Sequence, residues 1–343
     1  MIILSIETSC DDTGISLIEA KNSGFKILSN ILSSQVKIHQ KWGGVVPGLA
    51  KREHQKNLPL ILKKTLKKKI KIDLIAATVG PGLEPCLWTG LNFAKTLAKE
   101  LKVPFVPVNH IEAHLLSNFI ERKPKNVFPA LSLIVSGGHT QLILIKKIGN
   151  YRILGETRDD AAGECLDKVA KILGLGYPGG PIISKKASEF SEKDKKYKIH
   201  FPRPMINQKN YDFSFSGLKT AVLYDFQKRS KKDRKSKEYI RSVSFEVQQA
   251  VIDVLIKKTL KASKDFKVKS VILGGGVSAN SELRRQFKDK IKEELPKAGL
   301  LLPALSNCTD NAVMIGVAAF FNRNQKTKSW KGITANANLR VGK

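Results

Sequence analysis

Acidic residues are scarce in this chain: 30 Asp and Glu face 60 Lys and Arg, leaving a formal net charge of +30 over 343 residues. That shortage favours a polyanionic partner such as nucleic acid, with an affinity that weakens as salt rises. A lysine-biased composition is the competing reading, because lysines also crowd ordinary surface segments such as Lys63-Lys64 and Lys67-Lys68-Lys69. The strongest run, Lys228 to Lys237, reads as a solvated loop or frayed end between two helical segments, and nucleic-acid contact is not expected there. Cysteine is sparse as well. Cys10, Cys86, Cys165 and Cys308 are widely spaced and form no CxxC pair, which excludes a disulfide scaffold and suits a reduced, cytoplasmic enzyme. Aromatic residues make up 7% of the chain, and no aromatic-rich basic platform of the RNA-binding type stands out. No apolar run approaches the length of a membrane span. The opening Met1-Ile-Ile-Leu-Ser-Ile6 lacks a basic start and meets Glu7 at once, so it reads as a first strand rather than an export signal.

What is present is a repeated local design. Ile2 to Ile6 breaks at Glu7-Thr-Ser-Cys-Asp-Asp-Thr-Gly14 and resumes at Ile15-Ser-Leu-Ile18. Much later Leu131 to Val135 leads through Ser136-Gly-Gly-His-Thr140 into Gln141 to Ile145. Strand, small polar turn, strand at the head of each half suggests a duplicated α/β fold with a cleft between two lobes. Residues 1–125 are expected to form the first lobe and 126–343 the second, with the boundary near Pro124-Lys-Asn126. In the second lobe Gly137 and Gly138 let the backbone approach a ligand, and successive N–H groups can form an anion nest. Asp159-Asp-Ala-Ala-Gly-Glu164 is expected to open a helix whose Leu166, Val169, Ala170 and Leu173 make a core stripe. Asp167 lies at the edge of that stripe, where a carboxylate can take two ribose hydroxyls. Gly174 to Pro181 is a loop with room for a ligand near Gly180. Phe201-Pro-Arg-Pro204 and Asp212 to Gly217 are expected as irregular surface packing. Ser270 to Leu273 enters Gly274-Gly-Gly-Val-Ser-Ala-Asn280, a generic nucleotide-binding arrangement without the Walker or dinucleotide spacing; Asn280 can serve a base, a ribose or merely the turn.

The sharpest chemistry is in Val108-Asn-His-Ile-Glu-Ala-His114. On a helix of about three turns between Pro107 and Pro124, His110 and His114 stand about 40° apart on one face and can share a metal ion. Glu112 lies about 200° from His110, on the opposite face, unlike the glutamate of a zinc protease. A helix carrying two histidines that bind nothing is the alternative. Asp310, at the start of the apolar helix Ala312 to Phe321, is an N-cap candidate and the best available third ligand.

Together these stretches resemble the TsaD (Gcp) family of bacterial threonylcarbamoyltransferases. The resemblance runs in order through Ile6-Glu-Thr-Ser-Cys-Asp11, Gly43-Gly-Val-Val-Pro47, His110-Ile-Glu-Ala-His114 and Val135-Ser-Gly-Gly-His-Thr140. It continues through Asp159 to Glu164, Gly179-Gly-Pro181, Phe201-Pro-Arg-Pro-Met205, Asp212 to Lys219, Gly274 to Asn280 and Cys308-Thr-Asp-Asn311, covering nearly the whole chain. Gly80-Pro-Gly-Leu-Glu-Pro-Cys-Leu-Trp-Thr-Gly90 departs from the family pattern at Glu84, Pro85 and Cys86, which make that loop stiffer and more acidic. The resemblance implies the actin-like ATPase architecture (ASKHA fold) and metal ligation by His110, His114 and Asp310. It also implies adenylate binding by Ile134, Val135, Ser136, Gly137, Gly138, Asp167, Gly180 and Asn280. The implied reaction moves threonylcarbamoyl from threonylcarbamoyl-AMP to N6 of adenine 37 in tRNAs reading codons that begin with A, forming t6A and releasing AMP. ATP or AMP can occupy the same cleft, and the implied partners are a paralogous TsaB-type subunit and a TsaE-type ATPase. By ligand type Fe²⁺ is favoured and Zn²⁺ fits. Asp11 and His139 are the nearest residues for proton handling. Competing readings are an ATP-dependent small-molecule kinase of the same fold, a metal-dependent peptidase, and a non-catalytic tRNA-binding subunit.

Overall fold

The computed structural model describes the chain apart from residues 22–23, 67–69, 331 and 343, so Lys67-Lys68-Lys69 lie outside the described residues. Two compact units share it. The first comprises Met1–Asn126, Lys147–Tyr151 and Pro303–Lys343, and the second Val127–Lys146 and Arg152–Leu302.

The first unit is built on β1 (Ile2–Glu7), β2 (Asp12–Lys21), β3 (Gly24–Ser34), β4 (Leu74–Gly80) and β5 (Phe105–Asn109). Among the described residues they form one sheet in the order β3-β2-β1-β4-β5. β1 pairs antiparallel with β2 and parallel with β4, and β4 pairs parallel with β5. β1 and β4 are covered on both faces, which explains their near-continuous apolar runs. Helices α1 (Val36–His39), α2 (Pro47–Thr65), α3 (Glu84–Glu100) and α4 (His110–Leu116) follow in turn, with Pro59 inside α2.

The second unit repeats the plan with β6 (Ala130–Val135), β7 (Thr140–Lys147), β8 (Asn150–Glu156), β9 (Ser270–Gly274) and β10 (Gly299–Leu301). Their order, β10-β9-β6-β7-β8, read from the other end as β8-β7-β6-β9-β10, is the first order with each strand replaced by its counterpart. β6 pairs antiparallel with β7 and parallel with β9. Its helices are α5 (Ala162–Ile172), α6 (Gly179–Ser188), α7 (Ser216–Lys228), α8 (Lys231–Arg234), α9 (Lys237–Asp265) and α10 (Ser281–Glu294). The duplication expected from the two hairpins is therefore present as two sheets of the same topology.

The last helix, α11 (Ala312–Phe321), packs on β1 and β2. It takes 303–343 into the first unit, where the sequence suggested a single second lobe of 126–343. The cause is close packing. The Ser5 hydroxyl donates to the Ala312 carbonyl at 2.7 Å, and a Cβ on Gly316 would meet Ile18 at 2.8 Å and Ser5 at 2.9 Å.

Other local expectations are corrected. The long edge strand β3 carries no clear signature in the sequence, because exposed Ile27, Leu28 and Leu32 blur its alternation. The histidine helix is seven residues long and runs on as a 3₁₀ turn, Ser117–Phe119; Pro107 lies within β5. α5 starts at Ala162, after Asp159 and Asp160. The Asp159 carboxylate instead accepts from the backbone N–H groups of Phe215 and Ser216 and from the hydroxyls of Ser214 and Ser216, at the start of α7. Phe201, Phe213 and Phe215 are buried core residues, not surface packing. The lysine run 228–237 forms the end of α7, all of α8 and the start of α9.

The tight seat of α11 yields a stability test. Gly316→Val forces α11 away from Ser5 and Ile18 and should lower unfolding free energy by about 1–3 kcal/mol. An unchanged urea midpoint contradicts this packing.

Candidate metal centre and nucleotide loops

In the first unit the parallel strands β1, β4 and β5 end side by side, and the chain turns from β5 directly into α4. Asn109 caps that helix, its side-chain oxygen accepting from the N–H groups of Ile111 (2.9 Å) and Glu112 (3.2 Å). The cap fixes His110 at the first helical position and His114 one turn on, with ring centroids 4.6 Å apart. Asp310 completes the group. Its Oδ1 lies 3.0 Å from His114 Nε2 and 3.4 Å from His110 Nε2, and the three ligand atoms all fall within 4.8 Å of one another. Asn311, not Asp310, caps α11 by accepting from the Met314 N–H at 3.0 Å. The Asp310 carboxylate is thereby left to face the imidazoles.

The far side of His110 is fixed with equal care. Glu7 is wholly buried at the end of β1. Its carboxylate accepts from Ser9 N–H (2.5 Å), the Thr78 hydroxyl (2.6 Å) and His110 Nδ1 (3.2 Å). An imidazole that donates through Nδ1 to a carboxylate presents Nε2 as its ligand atom, the usual arrangement behind a metal-bound histidine. Burial opposes a charged imidazolium at His110, but Asp310 and Glu7 outweigh it and push the pKa up to about 10. Burial likewise works against ionised Glu7 and Asp310. His110, with the Ser9 hydrogen bond, nevertheless holds Glu7 below the ordinary carboxylate value, and His110 and His114 hold Asp310 well below it. The field here therefore favours positive charge at Nε2, from a proton or from a metal ion. Two imidazole nitrogens and one carboxylate oxygen converging in a buried setting fit a divalent transition metal.

Glu112 faces elsewhere. It accepts from the Tyr151 hydroxyl at 2.7 Å and the Asn322 amide at 2.8 Å, so both of its oxygens are engaged in structural bonds. Asp11 follows β1 in the same unit, half-buried, and burial raises its carboxyl above the usual value. Glu7 and Ser9, which sequence reasoning treated only as strand end and turn, support His110. The signal was their place in the same motif as Asp11.

The departing loop of the first unit is also closely held. Leu83 N–H donates to the Ser9 carbonyl at 2.8 Å, and Thr8 donates to the Cys86 carbonyl at 3.0 Å. Pro85 sits in the first turn of α3, where its missing N–H costs nothing.

In the second unit the expected nucleotide residues gather at the ends of β6 and β9. Ile134 lies opposite Gly274, and the turn Ser136–His139 is closed by Ser136 N–H donating to His139 O at 2.8 Å. Gly275, at φ +85°, brings its Cα so close to Val135 that an added Cβ would lie 2.4 Å from the Val135 carbonyl oxygen. α5 joins this turn to the next loop. Gly163 N–H in its first turn donates to Ser136 O at 3.1 Å. One turn later Asp167 Oδ1 accepts from Gly179 N–H (2.7 Å) and Gly180 N–H (3.2 Å) at the start of α6. Asp167 and Gly180 are thus brought together, and so are Ile134 to Gly138 with the β9 glycine turn. Asn280 is the N-cap of α10, accepting from Leu283 N–H at 2.9 Å and donating to Gln248 at 2.7 Å. His139 belongs to the second unit and Asp11 to the first.

No helix among the described residues is long and apolar enough to cross a membrane. Residues 26–317 match the family model of TsaD, tRNA N6-adenosine threonylcarbamoyltransferase. A relative of that name from Thermosipho africanus is 47% identical over 99% of this chain and 100% of its own length. Another from Geobacillus kaustophilus is 42% identical over 98% of this chain and 96% of its own. Among solved structures, T. kodakarensis HypF superposes with a TM-score of 0.57 at 15% identity, covering 94% of this chain and 47% of HypF. Component A of the Acidaminococcus fermentans (R)-2-hydroxyglutaryl-CoA dehydratase gives 0.52 at 14% identity, covering 94% of this chain and 98% of that one. These structural likenesses establish the fold, a duplicated actin-like ATPase architecture.

The cap at α6 yields a local test. Asp167→Ala leaves two N–H groups without their acceptor and should cost about 1–2 kcal/mol of stability. Hydrogen exchange at Gly179 and Gly180 should quicken; unchanged protection there would remove the cap assignment.

Proposed function

The chain belongs to the TsaD family of tRNA N6-adenosine threonylcarbamoyltransferases, and from that membership we propose the reaction in full. The enzyme moves threonylcarbamoyl from threonylcarbamoyl-AMP to N6 of adenine 37 in tRNAs that read codons beginning with A, releasing AMP. The observation that carries the reading is the convergence of His110, His114 and Asp310 in a chain of this family. Glu112 speaks against a peptidase, since its carboxylate is bound to Tyr151 and Asn322.

The chemical difficulty is the adenine amine, whose lone pair is delocalised into the ring. Catalysis therefore rests on aligning it, removing a proton and stabilising charge on the carbamoyl oxygen. His110, His114 and Asp310 hold the metal, with Fe²⁺ favoured by ligand type and Zn²⁺ also suited. When bound, it would supply Lewis-acid stabilisation of charge on the carbamoyl oxygen. Glu7 keeps His110 Nε2 pointed at that position through its bond to Nδ1.

The second unit holds the adenylate. The N–H groups of Gly137 and Gly138 receive the phosphate, on a turn that Ser136 closes through its bond to the His139 carbonyl and that follows Ile134 and Val135. Asp167 sets the Gly179–Gly180 turn against the ribose, and Asn280 orders the β9 turn as the cap of α10. Asp11 and His139 handle the proton. The working assembly is cytoplasmic and includes a TsaB-type subunit and a TsaE-type ATPase, with the adenylate supplied by a separate enzyme.

Two measurements test this. The purified chain with its partners, threonylcarbamoyl-AMP and a tRNA bearing adenine 37 should yield the modified nucleoside by mass spectrometry of digested tRNA, and the chain alone should yield little. No modified adenosine with every component present refutes the function. Separately, His110→Ala/His114→Ala should lose its metal by elemental analysis, and full occupancy in that variant would sink the ligand set.

A further inference from the structure

Two lysine runs separated by about thirty residues of sequence meet on one surface of the second unit. The 3₁₀ segment Glu192–Tyr197 carries Lys193, Lys195 and Lys196 and is followed by Lys198; the segment 228–237 carries seven more cations. The join between them is specific. Tyr197 places its hydroxyl 2.8 Å from Ser236, the N-cap of α9, and 3.3 Å from Asp233. Arg229 lies over the rings of both Tyr197 (5.7 Å) and Tyr239 (5.6 Å). Arg234 donates back to the Phe226 carbonyl at 2.8 Å, folding α8 onto the end of α7. The run expected as a frayed loop is therefore an ordered surface.

Its charge is concentrated and largely uncompensated. Residues 193–198 and 228–237 contain eleven cations and two carboxylates, a net +9 of the chain's +30 in sixteen residues. Both carboxylates are already engaged: Asp194 is buried in a two-point pair with Arg241, and Asp233 accepts from the Ser230 hydroxyl at 2.7 Å. Among the described residues, exposed Lys193, Lys196, Lys198, Lys228, Lys231, Lys232, Lys235 and Lys237 form no ion pair. Eight exposed lysines without a carboxylate partner, of which Lys196 lies 5.1 Å over the Tyr197 ring, suit a polyanion with regularly spaced charges, as a nucleic-acid backbone has. Along the chain, α6 leads from the Gly179–Gly180 turn to this segment, about 15 Å for its ten residues.

We propose that this surface, formed by residues 193–198 against 228–237, is where the tRNA backbone docks. The inference rests on tRNA being the substrate and adds the place where it is held. Lysines on so open a surface act as phosphate contacts and do not read sequence.

The test uses the full-length chain with fluorescently labelled, unmodified tRNA, with and without the partner proteins. Lys196→Glu/Lys198→Glu and Lys232→Glu/Lys235→Glu are made separately and combined; Lys288→Glu/Lys292→Glu on α10 is the control. Thermal melting confirms that each variant folds. The combined variant should bind tRNA on the order of tenfold more weakly, and its salt dependence should flatten by roughly 0.7–0.9 in slope for each phosphate no longer neutralised. Each pair alone should show part of that change, and the control little. An equal loss in the control would reduce the effect to bulk charge and overturn the proposal. Unchanged tRNA affinity in the combined variant, including the case in which only partner-protein binding is lost, overturns it as well. If wild-type protein neither binds nor modifies tRNA, the functional reading itself fails and this inference with it.

Discussion

Glu7 is a carboxylate with no solvent exposure, and the first unit is arranged to make that tolerable. An ionised group in such a place is costly unless it is hydrogen-bonded and paired. Glu7 draws its donors from three elements: Ser9 from the turn after β1, Thr78 from β4 and His110 from α4. Those three bonds tie together the ends of three adjacent strands and set the tautomer of His110. Asp310 then arrives on the tail that returns to this sheet, with Asn311 relieving it of the helix cap. The ligand geometry is thus a consequence of how one buried charge is satisfied.

The duplicated fold turns one design to two uses. In the first unit the hairpin turn after β1 is acidic and hydroxyl-bearing, and its neighbours assemble carboxylate and imidazole around a point that favours positive charge. In the second unit the matching turn after β6 is glycine-rich, and its free resource is backbone N–H. Gly163 and Gly275 crowd against that turn from α5 and β9, where any side chain would collide with Ser136 or Val135. The same strand topology thus carries a carboxylate–imidazole cluster in one unit and a glycine-rich turn in the other. The chemistry lies in the turns and the scaffold in the strands.

Much of this was legible from residues. The first strands of both hairpins, β1 and β6, stand out because both of their faces are buried and their apolar runs are near-continuous, broken only by Ser5 and Ser132. His110 and His114 followed from helical spacing, and Asp310 from its place at a helix start. Other features were hidden for physical reasons. β3 exposes apolar side chains, so its period did not show. Asp159 looked like a first-turn acid because dipole logic fits that position, yet its acceptor capacity is spent on α7, far away in sequence. The role of Glu7 was invisible because a strand-end carboxylate reads as a solvent boundary until its three donors are known. The lysine run 228–237 read as solvated because its partner, Tyr197, lies about thirty residues earlier.

The claim on which the rest depends is that Glu7, through His110, builds a site for one metal ion with His114 and Asp310. X-ray absorption on the metal-loaded protein tests it most directly. The result expected is a first shell of two imidazole nitrogens and carboxylate oxygen at about 2.0–2.2 Å, with the outer-ring scattering that marks histidine. A shell containing sulfur, or one with no imidazole scattering, would place the ion elsewhere and contradict the site.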